Sequence, residues 1–206
     1  MWRALLAVAV LTSPAVAKPS IEAPVARIAD PASLKDIIHF GEPNPALHMN
    51  RSGEVWWRAD VDLPPDVSLQ SVQIMGYDPI FLRLSDSRCF KIELEGDVNK
   101  LTRAAVAQSE CQPARKIDSP WPAALPRRGM HYVGRAWDLD AWTNPRTGKT
   151  IVVEAKHQDA PLLTADMRVI AIGAMGAPDA PMTEVTFVGY IGRQLTIATA
   201  MLYYAG

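Results

Sequence analysis

The stretch MHYVGRAWDLDAWTNPRTGKTIVVEAKH, residues 130–157, contains the clearest β-hairpin signal in the chain. Its centre, NPRTG at residues 144–148, is typical of a longer hairpin loop, because proline presets one bend and glycine takes a left-handed position. If Thr143 pairs with Lys149, one face becomes continuously apolar. That face holds Val133, Trp137, Leu139, Ala141, Ile151, Val153 and Ala155. A shift by one residue would divide the apolar set between the two faces, so we predict this register.

Three carboxylates gather on the opposite face of the predicted hairpin. Asp138 lies opposite Glu154, and Asp140 is two residues further along the same face. Like charges opposed across two strands are unfavourable, so the pattern needs compensation. In one interpretation the face is an ordinary solvent-exposed sheet face, and the positive charge of Lys156, on a neighbouring diagonal, compensates the carboxylates. The alternative is a bound calcium ion or a carboxyl group used in acid–base catalysis.

The tryptophans provide a second set of candidate residues. Trp57 and Trp137 fall on the predicted buried faces, whereas Trp56 and Trp142 fall on polar faces and Trp121 on a proline-rich connector. Exposed tryptophans stack on sugar rings or bury themselves in a protein partner. We therefore predict that Trp56, Trp121 and Trp142 bind a ligand. The alternative is that other parts of the chain cover them.

Residues 1–17 have the pattern of a secretory signal. Arg3 is the positive charge, residues 5–11 form an apolar core, and Ala-Val-Ala at residues 15–17 is typical of a cleavage site. We expect a mature chain that begins at Lys18 and is periplasmic or secreted. No later stretch reaches the roughly 20 uncharged residues of a transmembrane helix, so none is expected after processing.

The charge balance bears on the class of partner. The chain has 21 Lys and Arg against 22 Asp and Glu, and loss of Arg3 with the signal leaves 20 against 22, a net charge of −2. Such a near balance argues against a nucleic-acid partner, which requires clustered positive charge. The composition, 49% hydrophobic and 21% charged, is that of an ordinary globular protein.

The predicted domain organisation is an extended arm with a short helix at residues 18–45, followed by a single β-rich domain at residues 46–206. Asp30 as helix cap and Pro31 as first helical residue predict a helix that ends near Phe40. Strands are predicted at residues 54–63, 68–75, 80–84, 89–94, 168–175, 185–191 and 195–203. From residue 185 onward Arg193 is the only charged side chain, so we expect the last two strands to be covered on both faces.

A second helix is predicted from Asp97, as its cap, to about Gln108. It lies between the only two cysteines, Cys89 and Cys111. In an exported chain this pair is expected to form a disulfide, which on the chain-entropy model stabilises the fold by about 3 kcal/mol. Their separation is too wide for a redox motif of the Cys-x-x-Cys type.

The sequence thus predicts a mainly β protein with a minor α contribution, arranged as a single antiparallel β-sandwich or partly closed barrel with two short helices and one disulfide. It contains no serine-hydrolase elbow, phosphate-binding glycine loop or zinc-protease motif. The preferred functional hypothesis is a non-enzymatic envelope protein without a cofactor that binds a partner protein or a glycan through tryptophan-bearing sheet faces. The alternatives are a hydrolase or calcium-dependent binder that uses the three carboxylates, and a structural subunit of an envelope assembly.

Overall fold

The computed structural model describes residues 38–41, 47–49, 53–63, 66–75, 79–97, 100–110, 119–175 and 182–203. All the regular structure within these ranges is β. The strands are β1 (Ile38–Gly41), β2 (Leu47–Met49), β3 (Gly53–Val61), β4 (Leu69–Ile74), β5 (Ile80–Leu84), β6 (Cys89–Asp97), β7 (Lys100–Gln108), β8 (His131–Ala136), β9 (Leu139–Thr143), β10 (Thr150–Glu154), β11 (Pro161–Ala165), β12 (Arg168–Met175), β13 (Met182–Ile191) and β14 (Gln194–Tyr203).

The strands form three antiparallel sheets, and none of the three closes on itself within the described ranges. Sheet A has the order β1-β3-β14-β13-β12, sheet B the order β2-β11-β10-β9-β8, and sheet C the order β4-β5-β6-β7. The edge strands β12, β8 and β4 each end one of the sheets. The prediction of a mainly antiparallel β protein is therefore confirmed.

Strands β13 and β14 contribute residues to two separate hydrophobic clusters. Phe187 and Ala198 belong to a cluster shared with sheet B, and the next positions, Val188 and Ile197, belong to a cluster shared with sheet C. Neighbouring residues of a strand point to opposite faces, so sheet A is buried on both sides at these positions. The prediction that the last two strands are covered on both faces is confirmed.

The helix predicted from Asp97 to Gln108 is wrong. Residues 100–108 form β7, which pairs with β6 along its length, from Phe90 opposite Gln108 to Asp97 opposite Lys100. The apolar spacing and the alanines in this segment fit a helix, but pairing with an adjacent strand overrides such a local preference.

The first predicted helix is wrong at its end, because residues 38–41 form β1 and pair with β3. The rest of that helix, the signal at residues 1–17 and most of the arm at residues 18–45 lie outside the described residues. Cys111 also lies outside them. Cys89 is buried, and the described residues contain no free cysteine, so the Cys89–Cys111 disulfide stays a prediction.

The segment predicted as one long strand before the loop is two strands, β8 and β9, joined by Trp137 and Asp138. Ala136 pairs with Leu139 across this two-residue turn. The turn contains no glycine, proline or asparagine, and Asp138 is its only residue of a type that favours turns. What was predicted as a two-stranded hairpin is a three-stranded meander.

The loop at residues 144–148 is confirmed, but the predicted register is wrong by one residue. The backbone N–H of Asn144 donates to the carbonyl oxygen of Lys149 at 2.7 Å. Gly148 has the expected positive φ of 69°. The side-chain oxygen of Asn144 also accepts the N–H of Arg146 at 2.9 Å. Thr143 pairs with Thr150 instead of Lys149, so residues 144–149, and not 144–148, connect the paired ends of the two strands.

Candidate binding cleft

A cleft of about 750 Å³ opens where the edge strands of the three sheets come together. Its walls are residues 72–75 of β4 and its end, residues 133–138 of β8 and the following turn, and residues 170–174 of β12. Residues 119–121 of the connector and Lys156 complete the lining. The volume lies within the range of small-molecule and peptide sites, and most of the lining side chains are apolar.

Trp137 stands at the rim of this cleft in an unusual backbone conformation. It is the first residue of the two-residue turn, its φ is +55°, and 45% of its side chain is exposed. Glycine is the usual residue at such a position, and a bulky residue there costs about 1–3 kcal/mol of strain. A tryptophan that is both strained and exposed adds little to the stability of the fold, so its ring is a candidate for ligand contact.

Trp121 and Lys156 form the polar corner of the cleft. The Lys156 ammonium nitrogen lies 4.5 Å from the centre of the Trp121 ring, a cation–π arrangement. Lys156 is exposed and forms no ion pair with any residue that the structure describes. A negatively charged group on a ligand would therefore meet a lysine whose position is already restricted by an aromatic ring.

Arg135 holds the connector against sheet B. Its guanidinium donates to the carbonyl oxygen of Pro122 at 2.6 Å and to that of Trp121 at 3.2 Å. The same guanidinium donates to both carboxylate oxygens of Asp140, at 2.8 and 2.6 Å. Asp140 is fully buried, so a compensated buried ion pair fixes one wall of the cleft.

Tyr132 completes this polar group. Its hydroxyl donates to Asp140 at 2.8 Å. Burial raises the pKa of Tyr132, and the hydrogen bond to the Asp140 carboxylate raises it further. The hydrogen bond to Asp140 also raises the pKa of the Arg135 guanidinium. The raised pKa values keep the Tyr132 phenol neutral and the Arg135 guanidinium charged across the physiological pH range.

A second set of bonds fixes the connector through Gln158. The Gln158 side chain accepts the N–H of Leu125 at 2.7 Å and donates to the carbonyl of Ala123 at 3.3 Å. Arg127 donates to the Gln158 carbonyl. The proline-rich connector has no regular structure, as predicted, yet it is bonded to Arg135 of sheet B and to Gln158 between β10 and β11, so Trp121 is held in place.

The predicted ligand-binding tryptophans have three different locations. Trp121 is half-buried and lines the cleft. Trp142 is only 5% exposed and packs its ring against Tyr132 at a centroid distance of 4.8 Å, so its predicted exposure is wrong. Trp56 lies in β3, and its side chain is outside the described part of the structure. Trp137, predicted to be buried, is exposed.

The structure does not bring the three predicted carboxylates together. Asp140 pairs with Val153 and Glu154 pairs with Leu139, so the two carboxylates point to opposite faces of sheet B. Asp138 lies in the turn and lines the cleft, while Glu154 bonds the His157 ring at 3.0 Å. No group of three or more metal-ligating side chains occurs within the described ranges. The register on which the calcium and catalytic alternatives depended is wrong.

Sequence reasoning missed the residues that shape the cleft most: Trp137, Arg135 and Ile170. Ile170 is the extra residue of a β-bulge in β12 and is 38% exposed. Neither a bulge nor a turn without glycine has a strong local signature. The signal that could have found Trp137 is its neighbour Asp138, because an aspartate at the centre of an alternating run often marks a turn.

Within the part of the chain that the structure describes, no helix has the length and apolar character to cross a membrane. Comparisons of the chain with protein-family models, with curated proteins and with solved structures give no match.

Proposed function

We propose that this chain is an exported, non-enzymatic envelope protein that binds a segment of a partner protein in the cleft. The observation that carries the proposal is Trp137, which is strained, exposed and placed at the rim of a largely apolar cleft. Backbone strain of this kind is concentrated at active sites and ligand-binding sites. Export through the signal at residues 1–17, the Cys89–Cys111 disulfide and a sandwich arrangement of the three sheets are parts of the same proposal.

A partner protein fits the lining better than a glycan does. A sugar has a hydroxyl group on almost every carbon, and each buried hydroxyl needs a hydrogen-bond partner. The wall formed by residues 170–174 offers only Ile, Ala and Gly side chains. The guanidinium of Arg135 is already bound to Asp140 and to carbonyl oxygens of the connector. Apolar side chains of a protein segment would be buried against this wall, and the backbone polar groups of the segment would face polar lining residues such as Gln73, Ser119 and Lys156.

The test is selection from a displayed library of random peptides of about eight residues, roughly 26 Å long when extended. The target is the oxidised mature chain from Lys18, and binding is then measured for single variants. Trp137→Ala should weaken the selected peptides by about tenfold or more, in the range of an aromatic hot spot. Leu125→Ala is the matched control, because Leu125 is 58% exposed and lies outside the cleft.

Trp137→Gly separates binding from folding. Glycine relieves the strain at a φ of +55°, so this variant should be at least as stable as the parent while it loses the peptides. Oligomers of N-acetylglucosamine are the competing probe in a thermal-unfolding assay, since a ligand of the folded state raises the midpoint. A rise with the sugar that Trp137→Ala abolishes, or failure to select any Trp137-dependent peptide, would overturn the proposal.

A further inference from the structure

We infer that the partner protein is a second copy of this chain, and that the two copies associate through their clefts in a dimer with two-fold symmetry. This inference rests on the proposed function and names the partner of the same site. Most homo-oligomers associate through one surface patch that is complementary to itself. Such a patch combines a projecting apolar group with a cavity that can receive it, and its charges are of both signs. The cleft and its rim have all three features.

Trp137 is the projecting apolar group. It lies in the two-residue turn at the rim of the cleft, and 45% of its side chain is exposed. Ile170 also lines the cleft and is 38% exposed. The cavity beside them has a volume of about 750 Å³, and the small side chains of residues 171, 173 and 174 leave space along one wall. Since tryptophan is enriched among the residues that contribute most to protein interfaces, the indole of one copy is a suitable occupant for the cavity of the other.

Asp138 and Lys156 provide charges of both signs. Both residues line the cleft, and their backbones are adjacent, because the N–H of Ala155 donates to the carbonyl oxygen of Asp138 at 2.7 Å. A two-fold axis that passes between the two side chains places each lysine opposite the carboxylate of the other copy. Arg135, the other charged lining residue, is already compensated by Asp140. An acidic or a basic ligand would meet a like charge here, whereas a second copy meets only opposite charges.

The contacts that these two residues make within one chain are compatible with a second copy. The ammonium of Lys156 lies 4.5 Å from the centre of the Trp121 ring, which restricts the lysine but leaves its charge in place. Asp138 also interacts within its own chain, and a carboxylate accepts up to about four hydrogen bonds. The lysine of the other copy would therefore be an additional partner of Asp138, and no existing contact has to break.

The position of Trp137 in the sequence links the apolar and the charged contacts. Trp137 directly precedes Asp138, so an axis that pairs the charges also passes close to the indole ring. Both copies of Trp137 would then be buried at the centre of the interface, where the side chains that contribute most to binding are found. The near balance of positive and negative residues in the chain adds little repulsion between the copies.

The first experiment measures the oligomeric state of the oxidised mature chain by sedimentation velocity between about 1 and 100 μM. We expect an equilibrium between monomer and dimer in this range. Trp137→Gly should raise the dissociation constant of the dimer at least about tenfold, and it should fold, because glycine accommodates a φ of +55°. Leu125→Ala removes an exposed apolar side chain outside the cleft and should leave the dissociation constant unchanged.

Charge reversal tests the two-fold arrangement. Lys156→Glu and Asp138→Lys should each raise the dissociation constant at least about tenfold, because each variant alone brings like charges together. An equimolar mixture of the two variants should dimerise as the parent does, since both contacts across the axis are again between opposite charges. Arg146→Glu is the matched control, because Arg146 is exposed in the loop at the other end of β9 and does not line the cleft. Thermal unfolding of each variant checks that it is folded.

The inference is overturned if the chain stays monomeric at about 100 μM, if the dimer survives Trp137→Gly, or if the mixture of folded charge variants does not dimerise. If Asp138→Lys does not fold, Trp137→Gly and Lys156→Glu decide the outcome. A monomeric chain that binds Trp137-dependent peptides would leave the proposed function standing, with a different protein as the partner. A monomeric chain that binds no such peptide would overturn both.

Discussion

Asp140 and Arg135 form a buried ion pair in sheet B. Asp140 has no exposed surface, and the Arg135 side chain is 13% exposed. Asp140→Ala would leave a buried guanidinium without its counter-charge, so we expect a loss of about 3–5 kcal/mol in the free energy of unfolding. Urea unfolding monitored by tryptophan fluorescence measures it. Lys149→Ala, which removes an exposed ion pair, should cost less than about 1 kcal/mol. Equal losses in the two variants would contradict this account.

Tyr132, which bonds to the same Asp140 carboxylate, makes the stability of the protein depend on pH in the alkaline range. Its pKa is raised in the folded protein, so folding favours the neutral phenol. The stabilisation that comes from the neutral Tyr132 phenol is fully present below the ordinary tyrosine pKa of about 10. It is lost as the pH rises through the pKa that Tyr132 has in the folded protein. In an alkaline titration followed by tyrosinate absorbance, one tyrosine should ionise later than the others. Tyr132→Phe should remove that late step; if the step persists, another tyrosine is responsible.

At the level of the strands, Gly189 of β13 lies directly against the backbone of β12. A Cβ placed there would lie 2.8 Å from the Cα of Val169, so backbone and not a flexible side chain would have to move. Gly189→Ala should therefore cost about 1–3 kcal/mol. Gly192→Ala meets no atom within 4 Å and should cost only the backbone strain of its φ of 61°, about 1 kcal/mol. Thermal unfolding should rank the two in this order, and the reverse order would contradict the close approach.

The sequence predicts a strand correctly where apolar and polar residues alternate strongly and the segment has no competing helical pattern. β3 and the β13–β14 hairpin follow from their sequences, since each has a run of alternating apolar residues that a turn residue ends. β7 was not predictable, because its alanines favour a helix and only pairing with β6 decides otherwise. Of the candidate site, Trp121 was predicted and Trp137 was not. Because the sequence reasoning missed the turn at Trp137 and Asp138, it predicts Trp137 to be buried and Trp142 to be exposed, whereas the structure has the reverse.

For the molecule as a whole, Thr150 is a link between two sheets. Its hydroxyl, on β10 of sheet B, donates to the carbonyl of Met167 at 2.8 Å and accepts the N–H of Val169 at the start of β12. Thr150→Val would leave both backbone groups without this partner, and we expect a loss of about 1–3 kcal/mol. Thr150→Ser retains the hydroxyl and should therefore keep most of the free energy of unfolding that Thr150→Val loses. Denaturant unfolding of both variants measures these free energies. If Thr150→Ser loses as much stability as Thr150→Val, the hydroxyl is not the link between the sheets.

The pairing of β3 with β14 has a consequence for biosynthesis. The hydrogen bond from Gln194 to Val61 joins positions 133 residues apart. A ribosome adds about 5–20 residues per second, so β3 leaves it on the order of ten seconds before its partner exists. During that interval one edge of β3 has no strand to bind, and the sheet shared by both hydrophobic clusters cannot form. The nascent chain is therefore accessible to chaperones during that interval.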